Sequence, residues 1–297
     1  MAAPIALITG SARRIGARIA ETLHRKGCRV VIHYHRSEQE ARQLVDAFNR
    51  ERPASAACLA ADLRDPGAGR DLAVRARDAF GGLDVLINNA GILRDAIFHK
   101  MSEDEWDAVI DVHLKGSFNV SSAAAGHFRK QESGCYVHMT STSGLIGNLG
   151  QANYSAAKGG VVSLTRSAAF ALRRYGINAN CIAPVAMTRM ADNVPFEMEA
   201  GGPEAIAPLA VYLLSDAARH ITAQIYTCTG RRISVWNQPV EIRDMVAADG
   251  VSFTVDEIVR DLPDTIGHEE MPMFADLERR MKEMEERKAS DAAAEPA

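Results

Sequence analysis

Short apolar runs separated by helix-length stretches narrow the possible folds more than any other feature of this chain. The first run, Ile5-Ala-Leu-Ile8, ends in Thr9-Gly10-Ser-Ala-Arg-Arg-Ile-Gly16, then helix-compatible Ala17 to Lys26 and a stop at Gly27. Strand, glycine turn and helix in that order expose backbone N–H groups at a helix N-terminus, where a pyrophosphate can sit. Further strands are expected at 29–33, 55–59, 85–88, 135–139, 178–182 and 221–227. Helices are expected at 38–50, 70–80, 106–128, from Tyr154 to about Arg174, and from Pro203 to Leu214. Strands alternating with helices require a parallel, doubly wound α/β sheet, with ligands at the carboxyl ends of the strands.

At 297 residues and 47% apolar, the chain can bury a core large enough for one big domain or two small ones. A net charge of −4 offers no electrostatic attraction to nucleic acid. No apolar run approaches the roughly 20 residues needed to span a bilayer. The start, Met-Ala-Ala-Pro-Ile-Ala, lacks the basic and apolar regions of a signal peptide, so a soluble, cytoplasmic protein is expected. Five cysteines are scattered without paired spacing and read as reduced thiols. His33 and His35 share a strand face but have no second cluster of ligands, so no metal is expected.

The chemistry concentrates between Thr140 and Gly159. Tyr154 and Lys158 are four residues apart and project from one face of a helix, about a turn apart. A phenol titrates near ~10, so exchanging a proton at neutral pH calls for a depression of ~2–3 units, which a neighbouring ammonium can supply. Ser141 follows the β-rich run Cys135 to Met139 and precedes a Gly/Asn turn, Gly144 to Gly150, that can return its hydroxyl to the phenol.

These motifs, with Thr9-Gly10 and Asn88-Asn89-Ala90-Gly91 upstream in the right order, resemble the short-chain dehydrogenase/reductase superfamily over roughly residues 4 to 230. The resemblance implies a single Rossmann-like domain with about seven strands. It implies hydride transfer between a nicotinamide and a ketone or secondary alcohol, with Tyr154 as acid or base, Ser141 orienting the oxygen and Lys158 holding the nicotinamide ribose. Gly10, Arg14, Ile15 and Gly16 would hold phosphate, Asp62 and Leu63 the adenine, and Asn89, Ala90 and Gly91 the backbone beside the cofactor. Pro184, Val185 and Thr188 would meet the nicotinamide. His113 stands where many relatives have a fourth catalytic residue, asparagine, and is a candidate for that role. A homo-oligomer, dimer or tetramer, is expected by analogy.

At the end of the second strand, where an NAD enzyme places an acid for the ribose, this chain runs His33-Tyr34-His35-Arg36-Ser37. Arg36 and Ser37 suit a 2′-phosphate and Arg14 can add a second contact, pointing to NADP(H). Tyr34 and His35 border the same position.

The first quarter is similar to pteridine reductases, which share the arginine in the glycine turn and the His-Tyr-His-Arg-Ser run. From Asn88 onward the chain resembles 3-oxoacyl carrier-protein reductases and the 3-hydroxyacyl-CoA dehydrogenase units of multifunctional enzymes, notably in 147–154 and 183–190. Pteridine reductases of that kind carry an aspartate where this chain has Ser141, and an aromatic after Asn-Asn-Ala. Carbonyl chemistry on a 3-oxoacyl or 3-hydroxyacyl thioester or similar small molecule is therefore favoured. A pteridine reductase and a weakly active NADP-binding sensor or scaffold stay open.

Residues 189–202 are expected to form a lid over substrate. Residues 231–297 form an extension with an amphipathic run through Phe274, Leu277, Met281 and Met284 and a disordered end.

Overall fold

A computed structural model describes residues 3–185, 201–239, 241, 244–246, 252–265 and the single positions 279, 282 and 286. Thr188, residues 189–200 of the lid expected at 189–202, most of the run from Phe274 to Met284 and the chain's end lie outside the described residues. Contacts divide the chain into two units, Met1–Trp236 and Asn237–Ala297.

Among the described residues, the first unit is built on eight strands: β1 (Ile5–Ile8), β2 (Arg29–Tyr34), β3 (Ala56–Ala60), β4 (Val85–Asn88), β5 (Gly134–Met139), β6 (Ile177–Val185), β7 (Ile225–Thr229) and β8 (Arg232–Val235). They form one sheet in the order β3-β2-β1-β4-β5-β6-β7-β8, and β1 to β7 are all parallel. Between them run α1 (Arg14–Arg25), α2 (Glu38–Glu51), α3 (Pro66–Phe80), α4 (Glu103–Ile110), α5 (Gly116–Gln131), α6 (Ser143–Ile146), α7 (Ala152–Leu172) and α8 (Ala207–Leu213).

Side-chain alternation explains why both faces must be covered. In β1, Ala6 and Ile8 enter one core with Val30 and Ile32, under Ile19 and Leu23 of α1, Phe48 of α2 and Ala210 of α8. Ile5 and Leu7 enter the other core with Val31, Leu86 and Tyr136, under Leu72 of α3, Val120 and Phe128 of α5 and Ala169 of α7. A strand apolar on both faces has no solvent side, so helices are needed on each. Strand order reverses at the β1–β4 pair, the switch point at which a doubly wound sheet opens its crevice.

Three elements differ from expectation. The helix expected across 106–128 is two helices joined by a π turn, Asp111–Lys115, in which the N–H of Gly116 donates to Asp111 five residues back. A capping box stands at its start: Ser102 N–H donates to Glu105 Oε2 at 2.9 Å, and Glu105 N–H to Ser102 Oγ at 3.3 Å. The strand expected at 221–227 begins only at Ile225, because Ala223 adopts φ +62° and its N–H donates to Ala179. Beyond it, a turn at Gly230 (φ +37°) reverses the chain into β8, an antiparallel eighth strand.

In the second unit, α9 (Val255–Thr265) is a helix the sequence reading omitted. Its signal was present: Thr254 and Glu257 form a capping box, with Thr254 N–H donating to Glu257 at 2.8 Å and Glu257 N–H to Thr254 Oγ1 at 3.3 Å. Among the described residues, no helix is long and apolar enough to cross a membrane.

Candidate active site

β5 delivers Thr140 and Ser141 to the carboxyl edge of the sheet, and α7 carries Tyr154 and Lys158 past them. Thr140 N–H donates to Ile182 at 2.8 Å, and its hydroxyl donates to the carbonyl of Lys158 at 2.9 Å. Gly144 allows the closest approach: a Cβ there would lie 2.6 Å from the backbone carbonyl carbon of Lys158 and 2.7 Å from the nitrogen of Gly159. The Ser141 loop therefore lies against α7 one turn beyond Tyr154.

Lys158 is 5% exposed, with Nζ 5.7 Å from the Tyr154 ring centroid and 2.5 Å from the Met139 carbonyl to which it donates. Burial pulls its ammonium down to about 8. The Tyr154 phenol lies above its ordinary value, chiefly because it is buried; a hydrogen bond with Ser141 pulls it down and the Asp95 carboxylate pushes it up. The depression expected from Lys158 is thus absent. The amine is engaged with Met139 and is itself easily discharged, while desolvation of the phenolate dominates.

His113 comes from the π turn and packs edge-on against Tyr154, ring centroids 5.2 Å apart at 89°. Its Nε2 sits 2.9 Å from the N–H and 2.8 Å from the carbonyl of Ile92, and its Nδ1 is buried without a hydrogen-bond partner. Burial, followed by the Lys158 charge, holds the ring neutral down to about 3. Gly91 makes room for it, since a Cβ there would fall 2.4 Å from His113 Cε1.

The sequence reading missed three residues that join the 92–100 loop to α7. Asn153 donates to the carbonyls of Arg94 and Glu105 at 2.8 and 3.0 Å and accepts from Tyr154 N–H at 2.7 Å. Gln151 donates to Asp95 at 3.1 Å and accepts from Asn148 at 2.8 Å. Gln151 and Asn153 lie in a stretch already quoted for its resemblance, whereas nothing local marks Asp95.

The residues expected around a dinucleotide line the ends of β1 to β4 and β6. Gly10 turns at φ +62°, and a Cβ on it would lie 2.8 Å from Ala90 Cα. A Cβ on Gly16 would lie 2.6 Å from Asn89 Nδ2. Asn89 donates to the carbonyls of Thr9 and Gly10, both at 3.0 Å, and the N–H groups of Asn89 and Ala90 donate to Thr9 Oγ1 at 2.9 and 3.1 Å. One hydroxyl thus joins β1 to β4. Arg14 takes φ +55° at the start of α1, with Ile15 half-buried behind it.

At the end of β2, Tyr34 is half-buried, His35 and Arg36 are exposed, and Ser37 precedes α2 with no capping bond from its hydroxyl. Neither Arg14 nor Arg36 is ion-paired among the described residues. Asp62 accepts from Arg64 at 2.6 Å and lies 3.6 Å from His35, and the Arg64 hydrogen bond holds its carboxyl at about 2. Leu63 is buried beside it; Pro184 and Val185 end β6, half-buried. A glycine turn at a helix N-terminus, with unpaired cations beside it, fits a phosphate-bearing nicotinamide cofactor.

A doubly wound parallel sheet with a glycine turn at its switch point and a Ser-Tyr-Lys cluster beyond β5 defines a dinucleotide-dependent oxidoreductase fold. The short chain dehydrogenase family model matches residues 4–198, and the chain belongs to that family, whose members bind a nicotinamide cofactor. The chain is 36% identical over 279 residues to a hydroxyacyl-CoA dehydrogenase of Mycobacterium tuberculosis, covering 88% of this chain and 87% of that one. It is 37% identical over 237 residues to a 3-oxoacyl-acyl-carrier-protein reductase of Staphylococcus aureus, covering 76% and 96%. The crystal structure of a short chain dehydrogenase from Mycobacterium avium superposes with a TM-score of 0.81 at 34% identity, covering 91% of this chain and 96% of that one.

Proposed function

We propose that this protein is an NADP(H)-dependent oxidoreductase acting on a 3-oxoacyl or 3-hydroxyacyl thioester. The observation that carries the reading is the cluster of Tyr154, Ser141 and Lys158 at the carboxyl edge of the sheet, with the phenol hydrogen-bonded by Ser141. The names of the two curated relatives support the substrate class.

The cofactor, when bound, supplies or accepts the hydride. Tyr154 donates its proton to the carbonyl oxygen in reduction and takes it back in oxidation. A phenol held above its ordinary value is protonated at neutral pH, the form reduction requires. Ser141 orients the oxygen and stabilises its developing charge. Lys158 places an ammonium behind the phenol and reaches the ribose, while His113 braces Tyr154 and the Ile92 backbone. Gly10, Arg14, Ile15 and Gly16 take the phosphates; Asp62 and Leu63 border the adenine; Asn89, Ala90, Gly91, Pro184 and Val185 line the nicotinamide end. Arg36, Ser37 and Arg14, with Tyr34 and His35 beside them, take a 2′-phosphate, and the nearby Asp62 carboxylate is offset by its pairing with Arg64.

The test is NADPH oxidation with a panel of 3-oxoacyl thioesters, simple ketones and dihydropterin, each compared with Tyr154→Phe. Turnover should be highest with the thioesters and fall at least ~100-fold in the variant. Preferred turnover of dihydropterin would favour the pteridine alternative, and tight NADPH binding with no turnover the sensor. Independently, Arg36→Asp should weaken NADPH binding at least about tenfold and NADH binding hardly at all. Equal losses would overturn the 2′-phosphate assignment.

A further inference from the structure

β2 ends in a histidine whose two ring nitrogens are both engaged. His33 is 2% exposed; its Nδ1 accepts the N–H of Gly10 at 2.9 Å, and its Nε2 lies 3.1 Å from the carbonyl oxygen of Ala61. A backbone N–H only donates and a carbonyl only accepts, so the ring is neutral, with its proton on Nε2. Burial acts in the same direction and pushes the imidazole down to about 4. The His33 backbone adds two bonds to the same turn: its N–H donates to Ser11 Oγ at 3.2 Å, and its carbonyl accepts from Ser11 N–H at 3.0 Å.

The two groups that the ring joins belong to different loops. Gly10 is the tight point of the glycine turn, held on its other side by Asn89 and with no space before Ala90. Ala61 immediately precedes Asp62 and Leu63 at the end of β3, and its N–H returns to Tyr34 at 3.0 Å. Parallel pairing sets the spacing of β1, β2 and β3, and one backbone bond on each side, Ser11 N–H to His33 and Ala61 N–H to Tyr34, carries it a step past the strands. Beyond the last pairs, the His33 ring links the turn after β1 to the loop after β3.

We propose that His33 is a positioning residue of the nucleotide site: its imidazole, oriented by the Ala61 carbonyl, accepts the Gly10 N–H and fixes the phosphate-binding turn in the conformation a dinucleotide needs. The inference rests on the cofactor reading above. His33 lies behind the turn and acts through the Gly10 N–H. An apolar side chain in its place would leave that N–H and the Ala61 carbonyl, both part-buried, without the partner they have in the imidazole.

Three substitutions separate this role from plain core packing. His33→Asn places an amide oxygen where the imidazole Nδ1 sits, so the Gly10 N–H keeps an acceptor. His33→Gln puts its amide near the Nε2 position and offers Gly10 nothing. His33→Leu removes both bonds. Dissociation constants for NADPH and NADH are measured on the full chain by nucleotide fluorescence, beside Tm and the split between kcat and KM for NADPH. The asparagine variant should stay within about threefold of wild type, while the glutamine and leucine variants lose about tenfold in affinity, with kcat at saturating NADPH changed less than KM. Asparagine losing as much as leucine, or leucine losing nothing, would overturn the proposal while wild-type binding keeps the cofactor reading intact. Should the leucine variant fail to fold, equal affinities for the asparagine and glutamine variants overturn it. A wild-type chain that binds NADH alone removes only the 2′-phosphate assignment, and the same ranking is then read with NADH. Binding of neither nucleotide removes the cofactor reading and this inference together.

Discussion

Tyr154 is held in balance by two side chains of opposite effect, Ser141 pulling its phenol down and Asp95 pushing it up, on top of a larger upward push from burial. In alcohol oxidation the phenolate is the base, so the rate rises as pH climbs through the phenol's titration. Ser141→Ala should move that limb to higher pH and lower kcat by about 10²–10³. Asp95→Asn should move it to lower pH with a smaller change in kcat. The two pH profiles check this, and shifts in the same direction would refute the assignment. Tyr154 and Lys158 were legible because helical spacing alone puts them on one face. Asp95 was not, because its field reaches the phenol through a fold that returns the 92–100 loop to α7, and no local pattern encodes that return. The expected fall in the phenol's titration failed for a related reason: spacing reveals proximity but not what the amine bonds to, and Lys158 bonds to Met139.

Elements were legible where hydrophobic period and turn residues agreed. The first six strands sit within a few residues of their expected places, because each is an apolar run bounded by glycine, proline or polar residues. The last strand was displaced because Ile221 and Ala223 look like strand residues, yet the chain at Ala223 is bent to meet Ala179. A π turn moves the apolar rhythm of a helix by a single residue and carries no breaker, so 106–128 read as one piece. Gly144 shows how an element's position depends on a missing side chain. Gly144→Ala would put a methyl 2.6 Å from the Lys158 backbone. Two of the three nearest atoms are backbone and the third, Lys158 Cβ, is fixed to it, so the loop must shift, at a cost of about 1–3 kcal/mol. Ser141 moves with it. A lower Tm and a kcat reduced more than the affinity for NADPH are expected, from thermal unfolding and steady-state kinetics.

For the molecule as a whole, Lys158 links the site to stability. Its folded value, about 8, lies below the ordinary 10.5, so between those pH values the unfolded chain binds more protons than the folded one. Stability therefore gains from this group as pH rises through that window, by on the order of 3 kcal/mol, and below about pH 8 the burial of the charge is felt in full. Lys158→Met should be inactive, yet its stability relative to wild type should be greatest near neutral pH and decline as pH rises toward 10.5. Urea unfolding at several pH values checks this, and a constant difference would refute it. The π turn at Asp111–Lys115 bears on the whole assembly as well. A helical residue advances about 100° around the axis; the π turn holds one residue more than an α-helical turn, so losing a single residue there would close it into an α-helix and keep α5 in register with α4. Val120, Ala124 and Phe128 would stay in the core and half-exposed Phe118 outside it. What the extra residue decides is which side chain the turn presents to the site: without it His113 would lose the position from which it packs edge-on against Tyr154.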